Sequence, residues 1–158
     1  MNYPEYLTSN MAEALAEAVK AAEAGEIPVG AVVVKDGRII ARGHNTREGN
    51  RDITGHAEIN AIREAERFLG DWRLSGCDLF VTMEPCPMCM GAILAARISR
   101  LVYGCPDPVA GACRTVTNIY TSGLNAGKLE VYDGIMAEDC SAVLDGFFNE
   151  IREKEQDQ

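Results

Sequence analysis

Two short segments limit the folds open to this chain, because both carry side chains that bind metals and both open a predicted helix. The first is His56-Ala57-Glu58, and the second is Pro85-Cys86-Pro87-Met88-Cys89. One predicted helix and one predicted strand separate them. In α/β sheets ligands bind in the crevice outside the carboxyl ends of the strands. A fold that serves both segments therefore brings an imidazole, a carboxylate and two thiols to one cleft.

The rest of the chain alternates between helix-forming stretches and short apolar runs. We predict helices at 11–24, 56–69, 86–96 and 137–152, a further short helix at 115–121, and strands at 29–34, 39–41, 79–82, 101–103 and 128–132. Asp36-Gly37 predicts a tight hairpin turn, and residues 45–55 a polar loop. This order predicts one α/β domain over residues 1–158, a three-layer α/β/α sandwich with a mixed five-stranded sheet. Strands three and four, joined through a helix, are expected to be parallel.

The two segments together predict a zinc site. Cys86 and Cys89 are three positions apart, on one face of a helix start, where the helix dipole favours thiolates. Two thiolates and one imidazole suit tetrahedral zinc and leave the fourth position for water. Residues two apart on a helix diverge by about 200°, so His56 and Glu58 share the site only if His56 keeps a loop conformation.

This arrangement predicts hydrolytic chemistry. Zinc lowers the pKa of a bound water molecule from 15.7 towards about 7, and a neighbouring carboxylate such as Glu58 can accept the proton. The alternative is a non-catalytic zinc-binding module with four protein ligands, for which Cys105 or Cys113 would be the fourth donor.

The charge of the chain bears on its partners. Its 15 basic and 24 acidic residues give a formal net charge of −9. Nucleic acid is attracted mainly by Lys and Arg side chains that neutralise phosphates. Any RNA contact therefore requires a local basic patch, for which we name Arg47, Arg51, Arg63, Arg67 and Arg73.

Composition and cysteine spacing bear on location. No apolar run approaches the roughly 20 residues that a membrane span needs, and residues 1–10 lack the features of a secretory signal. The six cysteines are spaced irregularly, unlike a disulfide framework. We expect a cytoplasmic protein without a membrane partner.

The motif residues belong to a longer set of shared segments. The chain resembles the cytidine-deaminase-like superfamily and, within it, the bacterial tRNA-specific adenosine deaminases, over nearly its whole length. The segments that carry the resemblance include Glu26-Ile27-Pro28-Val29-Gly30-Ala31, His44-Asn45, Asp52-Ile53-Thr54-Gly55-His56-Ala57-Glu58, Trp72-Arg73-Leu74, Glu84-Pro85-Cys86-Pro87-Met88-Cys89 and Phe147-Phe148.

The resemblance implies a zinc-dependent hydrolytic nucleobase deaminase that forms a homodimer with one zinc per subunit. It assigns His56, Cys86 and Cys89 as zinc ligands and Glu58 as the proton shuttle. In this superfamily a glutamate that is not a zinc ligand serves as general acid and base.

The resemblance also implies a substrate and its pocket. Asn45, Val29 and Ala31 would line the base pocket, and Phe148 would lie near the nucleotides that flank the target. The wobble adenosine of a tRNA anticodon loop would become inosine. Such a base is unpaired, so extruding it costs little.

The chain departs from the pattern of these tRNA deaminases at Cys113-Arg114-Thr115, at Asn125-Ala126 and, in the last helix, at Asn149-Glu150-Ile151-Arg152. The run from Pro85 to Ile93 is more similar to guanine and cytosine deaminases. These differences fall in regions that contact substrate or RNA, whereas the proposed catalytic set is intact. A deaminase of a free nucleobase or nucleoside, similar to guanine or cytosine deaminases, therefore stays open as an alternative.

Overall fold

The computed structural model describes residues 2–125 and 128–158. Its helices are α1 (Tyr3–Glu23), α2 (Arg47–Asn50), α3 (Ala57–Leu69), α4 (Pro87–Ala95) and α5 (Ala137–Gln156). Its strands are β1 (Gly30–Lys35), β2 (Arg38–His44), β3 (Cys77–Met83), β4 (Arg100–Cys105) and β5 (Glu130–Tyr132). Within these two ranges, none of the helices combines the length and the apolar character that crossing a bilayer requires.

The five strands form one mixed sheet in the order β2-β1-β3-β4-β5. β1 is antiparallel to both β2 and β3, whereas β3, β4 and β5 run parallel to one another. The predicted mixed sheet and the parallel pairing of strands three and four are confirmed. Because of this order, the start of β1 and the ends of β2, β3 and β4 lie at one edge of the sheet.

Alternating side chains of the strands feed two separate cores. Ala31 and Val33 of β1 face a core that includes residues of α3 and α4. Val32 and Val34 face a second core, which includes residues of α1 and α5. Helices therefore cover both faces of the sheet, as the predicted three-layer sandwich requires.

The predicted hairpin turn is also confirmed. Asp36 and Gly37 have φ values of 50° and 76° and connect the paired residues Lys35 and Arg38. A two-residue hairpin turn with two positive φ values suits Asp-Gly, because glycine adopts that conformation without steric cost.

The first helix begins at Tyr3 rather than at the predicted Met11. The side chain of Asn2 caps it by accepting a hydrogen bond of 2.9 Å from the backbone N–H of Glu5. Pro4 is accommodated because the first turn of a helix has no hydrogen-bond partner for its missing N–H. The polar start of the helix has little apolar periodicity, so the pattern alone placed the beginning too late.

The predicted short helix at residues 115–121 is wrong. These residues form turns and bends. The backbone N–H groups of Arg114 and Thr115 donate to the carboxylate of Glu84, and those of Val116 and Thr117 to the carbonyl of Gly111. A side-chain acceptor thus replaces part of the backbone ladder that a helix needs.

Helix α3 packs directly on β2 at Gly43. A Cβ atom at this position would lie 2.5 Å from the backbone nitrogen of Ala61 and 2.6 Å from the carbonyl oxygen of Ala57. Both obstacles are backbone atoms, which cannot rotate away. Glycine at this position therefore sets how closely the first turns of α3 approach the sheet.

We expect Gly43→Ala to destabilise the protein by about 1–3 kcal/mol or more, as overpacking does in tight cores. Urea denaturation measures the change in the free energy of unfolding. Gly146→Ala in α5 is the matched control, because a Cβ there meets nothing within 4 Å. That control should gain about 0.5–1 kcal/mol from helix propensity. Equal stabilities for the two variants would contradict the close approach of α3.

Candidate active site and metal centre

The candidate site lies at the edge of the sheet where β1 begins and β2, β3 and β4 end. Met83 and Cys105 are paired at the ends of the parallel strands β3 and β4. Gly30 pairs with His44 at the neighbouring end of the β1–β2 hairpin. The chain enters the sheet here at β1 and leaves it here at the ends of β2, β3 and β4, and Asn45 after β2 and Glu84 after β3 both line the cleft at this edge.

The starts of α3 and α4 converge on this edge. His56 is the N-cap residue of α3 and Cys86 that of α4, and both have an extended backbone (ψ 153° and 174°). The predicted loop conformation of His56 is therefore confirmed, and Glu58 occupies the first turn of α3. Unpaired N–H groups and the helix dipole make both helix starts favourable for negative charge.

The three side chains named for the metal lie together. The Nδ1 atom of His56 is 3.6 Å from Sγ of Cys86 and 3.5 Å from Sγ of Cys89. The three donor atoms all lie within 4.8 Å of one another. In tetrahedral zinc sites, Zn–S bonds near 2.3 Å and Zn–N bonds near 2.05 Å separate sulfur and nitrogen by about 3.6 Å. The donor set and its spacing therefore fit zinc.

No fourth protein donor joins this group among the described residues. Cys105, at the end of β4, lines the same cleft, but its thiol donates to the carbonyl of Thr82. Neither Cys105 nor the buried Cys113 belongs to the group of metal donors. Three protein ligands with an open position are typical of catalytic zinc sites.

The two cysteine thiols differ in acidity, because one donates a hydrogen bond to the other. The hydrogen bond from the Cys89 thiol, together with that from His56, lowers the pKa of Cys86 to about 4. The same pairing with Cys86, together with burial, raises the pKa of Cys89. The hydrogen bond with Cys86 raises the pKa of His56. Because zinc binds cysteine as the thiolate, metal binding at this pair would release protons.

Glu58 lies beside these groups and is only 4% exposed. Burial raises the pKa of its carboxyl group, while the nearby imidazole of His56 opposes that shift. A carboxyl group whose pKa is raised towards the working pH is suited to take up and return a proton.

A cleft of about 840 Å³ opens onto the site. His56, Glu58 and Cys86 line its floor, together with three of the residues predicted to bind substrate: Val29, Asn45 and Phe148. Phe148 is 41% exposed and lies on α5. The amide of Asn45 donates to the carbonyl of Ile27 and accepts from the backbone N–H of Arg47.

Ala31 does not line the cleft, contrary to the expectation that it would contact the base. It is fully buried and belongs to the core cluster that includes Ala57 and Ala61 of α3. Val29 lies just before β1, at the end of the sheet where the cleft opens. Ala31 lies two residues further along β1 and packs in the core with α3.

The charges around the cleft are unevenly distributed. Of the five arginines named as a basic patch, only Arg47 lines the cleft, and its guanidinium is 3.6 Å from Glu48. Arg63 and Arg67 line a separate shallow depression beside Trp72. The Arg73 guanidinium lies 4.4 Å from the centre of the Trp72 ring. The named arginines therefore do not form one patch at the cleft.

Several cleft residues were missed by the sequence reasoning. These residues belong to two further parts of the cleft lining: the loop at residues 106–110 with Thr115, and one face of α5. That face presents Ser141, Leu144 and Asp145 before Phe148. Their spacing of three and four residues marks one side of a helix and could have identified them. Nothing in the loop sequence signals that it folds over the cleft.

Comparison with known proteins agrees with this geometry. Residues 4–105 match the cytidine and deoxycytidylate deaminase zinc-binding region. The tRNA-specific adenosine deaminase of Bacillus subtilis (strain 168) is 46% identical over 144 residues, which cover 91% of this chain and 89% of that protein.

Two solved structures are similar in fold and sequence. One comes from a study of A-to-I editing by tRNA:A34 deaminases at the wobble position. It is 44% identical, has a TM-score of 0.83, and the match covers 87% of this chain and 99% of that one. A guanine deaminase from Bacillus subtilis is 42% identical with a TM-score of 0.61, over 67% of this chain and 66% of its own.

The family match includes His56, Glu58, Cys86 and Cys89, and it extends over well more than half of the chain. The chain therefore belongs to the cytidine and deoxycytidylate deaminase family.

Proposed function

We propose that this protein is a zinc-dependent hydrolytic deaminase that converts adenosine to inosine at the wobble position of tRNA. The assignment of the substrate rests on the similarity to tRNA-specific adenosine deaminases, which extends over nearly the full length of both chains. The guanine deaminase named above matches only two thirds of either chain, and that of Nitrosomonas europaea, which covers 89% of this chain, is only 26% identical. The chemistry rests on His56, Glu58, Cys86 and Cys89 at one cleft.

His56, Cys86 and Cys89 would hold the zinc ion, which lowers the pKa of water and so supplies a nucleophile near neutral pH. Glu58 would accept the first proton that this water loses and give it to the ring nitrogen of adenine. It would then take the second proton of the same water from the hydroxyl on the attacked ring carbon and give it to the amino group, which leaves as ammonia, as the glutamate of zinc deaminases acts as general acid and base. Its burial excludes bulk water, so the proton is returned to the substrate.

The cleft suits a single extruded base. Its volume of about 840 Å³ and its mixed apolar and polar lining are typical of a site for a small, flat ligand. Val29 supplies an apolar contact, and Asn45 keeps one donor and one acceptor free for a base edge. The exposed ring of Phe148 offers a surface on which a flanking base can stack.

A free nucleobase or nucleoside is the second candidate substrate. It is favoured by the acidic residues Asp107 and Asp145 in the cleft lining, which repel phosphates. The likeness to guanine deaminase also supports it. This candidate predicts turnover of free bases, which a strict tRNA enzyme lacks.

We further propose that the enzyme is a cytoplasmic homodimer. Three large apolar side chains in or next to α3 are exposed: Ile53 (78%), Phe68 (66%) and Trp72 (47%). Burial of such groups between subunits is favourable. All six cysteines are free thiols, as is usual in reducing compartments. Sedimentation at the mass of a single chain would contradict the dimer.

The metal centre is tested by Cys86→Ala. We expect purified wild-type protein to contain one zinc per chain and the variant to lose it, because two remaining ligands hold zinc poorly. Elemental analysis after gel filtration measures the ratio. Cys77→Ala is the control, since Cys77 is equally a cysteine but lies buried at the start of β3. Full zinc occupancy in Cys86→Ala would exclude Cys86 as a ligand.

The substrate is tested by incubating the enzyme with an anticodon stem-loop that carries adenosine at the wobble position. We expect inosine at that position, detected by sequencing and by mass spectrometry of the digested RNA. Glu58→Ala should retain zinc and lose about 10²–10⁴-fold in rate, the usual contribution of a general acid–base group.

Parallel reactions with free guanine, cytosine, adenine and their nucleosides provide the comparison. Turnover of a free base without editing of any anticodon loop would replace the tRNA proposal by the second candidate. Undiminished turnover by zinc-loaded Glu58→Ala would remove Glu58 from the mechanism.

Arg47 is the cleft residue placed to contact an RNA phosphate. In a Glu58→Ala background, which prevents turnover, Arg47→Ala should weaken stem-loop binding. The slope of log K against log salt should also fall by about 0.7–1, the change expected for one lost phosphate contact. Arg67→Ala, in the separate depression, should leave the slope unchanged. Equal slopes for both variants would place the RNA backbone elsewhere.

A further inference from the structure

Glu84 is a buried carboxylate that the proposed mechanism does not use. It follows β3 directly and lies two residues before Cys86, and it is 3% exposed. No salt bridge among the described residues includes it. A buried charge without a counter-ion is costly unless dipoles and hydrogen bonds compensate it.

The compensation comes from one loop. The Oε2 atom of Glu84 accepts from three successive backbone N–H groups, those of Cys113 (3.2 Å), Arg114 (2.9 Å) and Thr115 (3.0 Å). Its Oε1 atom accepts from the backbone N–H of Asp107 (3.2 Å) and from the hydroxyl of Thr115. Successive N–H groups that converge on one oxygen form an anion-binding nest, here occupied by a side chain of the same protein.

The loop approaches Glu84 so closely that only glycine fits at position 111. A Cβ atom at Gly111 would lie 2.5 Å from Oε1 of Glu84 and 2.5 Å from the carbonyl oxygen of Asp107. The backbone N–H of Ala112 also donates to the carbonyl of Pro85. The loop is thus held against the segment that carries Cys86.

Thr115 contributes a side-chain donor to Glu84 in addition to its backbone N–H. Here the hydroxyl of Thr115 adds a fifth hydrogen bond to Glu84. Arg114 is fixed in turn by Asp133 at 3.0 Å.

The anchored loop forms one wall of the cleft. Residues 106–110 and Thr115 line it, as do Val29 and Asn45. We propose that Glu84 is a positioning residue, which holds the loop at residues 107–115 in place as the substrate-binding wall, with the Thr115 hydroxyl as a second anchor. This inference rests on the proposed deaminase function for its kinetic consequence, but not for its structural one.

Glu84→Gln tests the anchor directly. The amide replaces one acceptor oxygen by a donor, which faces N–H groups and cannot bind them. We expect amide hydrogen exchange at residues 107 and 113–115 to accelerate at least about tenfold, since hydrogen bonds to charged groups are the stronger ones. With the stem-loop substrate, KM should rise about tenfold and kcat change little, because the loop binds substrate without touching the reacting atoms.

Three variants serve as comparisons. Thr115→Val keeps the carboxylate and removes only the hydroxyl, so it should show the same effects at smaller size, and Thr115→Ser should restore wild-type behaviour. Glu17→Gln removes a carboxylate that is also 3% exposed, but whose partners Lys20 and His44 lie outside the cleft. It should leave exchange at residues 107 and 113–115 and the kinetics unchanged. Thr115→Val also decides the question if Glu84→Gln fails to fold.

Unchanged exchange at these amides in both Glu84→Gln and Thr115→Val would overturn the proposal. So would a fall in kcat that accompanies loss of zinc, because Glu84 would then act through Cys86. If the wild-type protein turns over neither stem-loop nor free bases, the proposed function fails. The exchange measurement still decides the role of Glu84 in that case.

Discussion

Two helix starts that converge at one edge of the sheet determine what this protein can do. His56 caps α3 and Cys86 caps α4, and their side chains approach to 3.6 Å. Because each keeps an extended backbone, its side chain leaves the helix axis and reaches across to the other helix. The unpaired N–H groups at both starts favour the negative charge that thiolates bring. The strand order and the close packing of α3 at Gly43 serve to hold these two starts together.

The parts of the fold that were predicted correctly are those determined by residues close together in the sequence. The strands β1, β3 and β4 are short apolar runs, and the turn at Asp36-Gly37 has the residues that positive φ values require. The metal-binding group was predictable because its chemistry depends on residue types and on their place at helix starts. Cys86 and Cys89 lie on one face whatever the surrounding structure, and Glu58 reaches the site only if His56 precedes the helix, as it does.

The parts that sequence missed depend on contacts between distant residues. The N–H groups at 113–115 bind Glu84, which lies about 30 residues earlier, and this contact replaces the helix expected at 115–121. Ala31 was expected at the base because the family resemblance assigned it there together with Val29. The depth to which each lies depends on how α3 covers β1, which no local pattern reports. The arginines were counted as one patch, although the fold divides them between two surfaces.

The cleft lining is anchored by two carboxylates that are not among the proposed metal ligands. Glu84 binds the loop at residues 107–115. Glu26, 4% exposed, accepts from the N–H groups of Glu48 and Gly49 in α2, next to the cleft residue Arg47. Both anchors are buried carboxylates that receive backbone N–H groups, and neither belongs to the proposed metal-binding or proton-transferring set. The fold is similar to that of both a tRNA:A34 deaminase and a guanine deaminase. We therefore infer that the anchored lining of the cleft selects the base, whereas the two helix starts set the reaction.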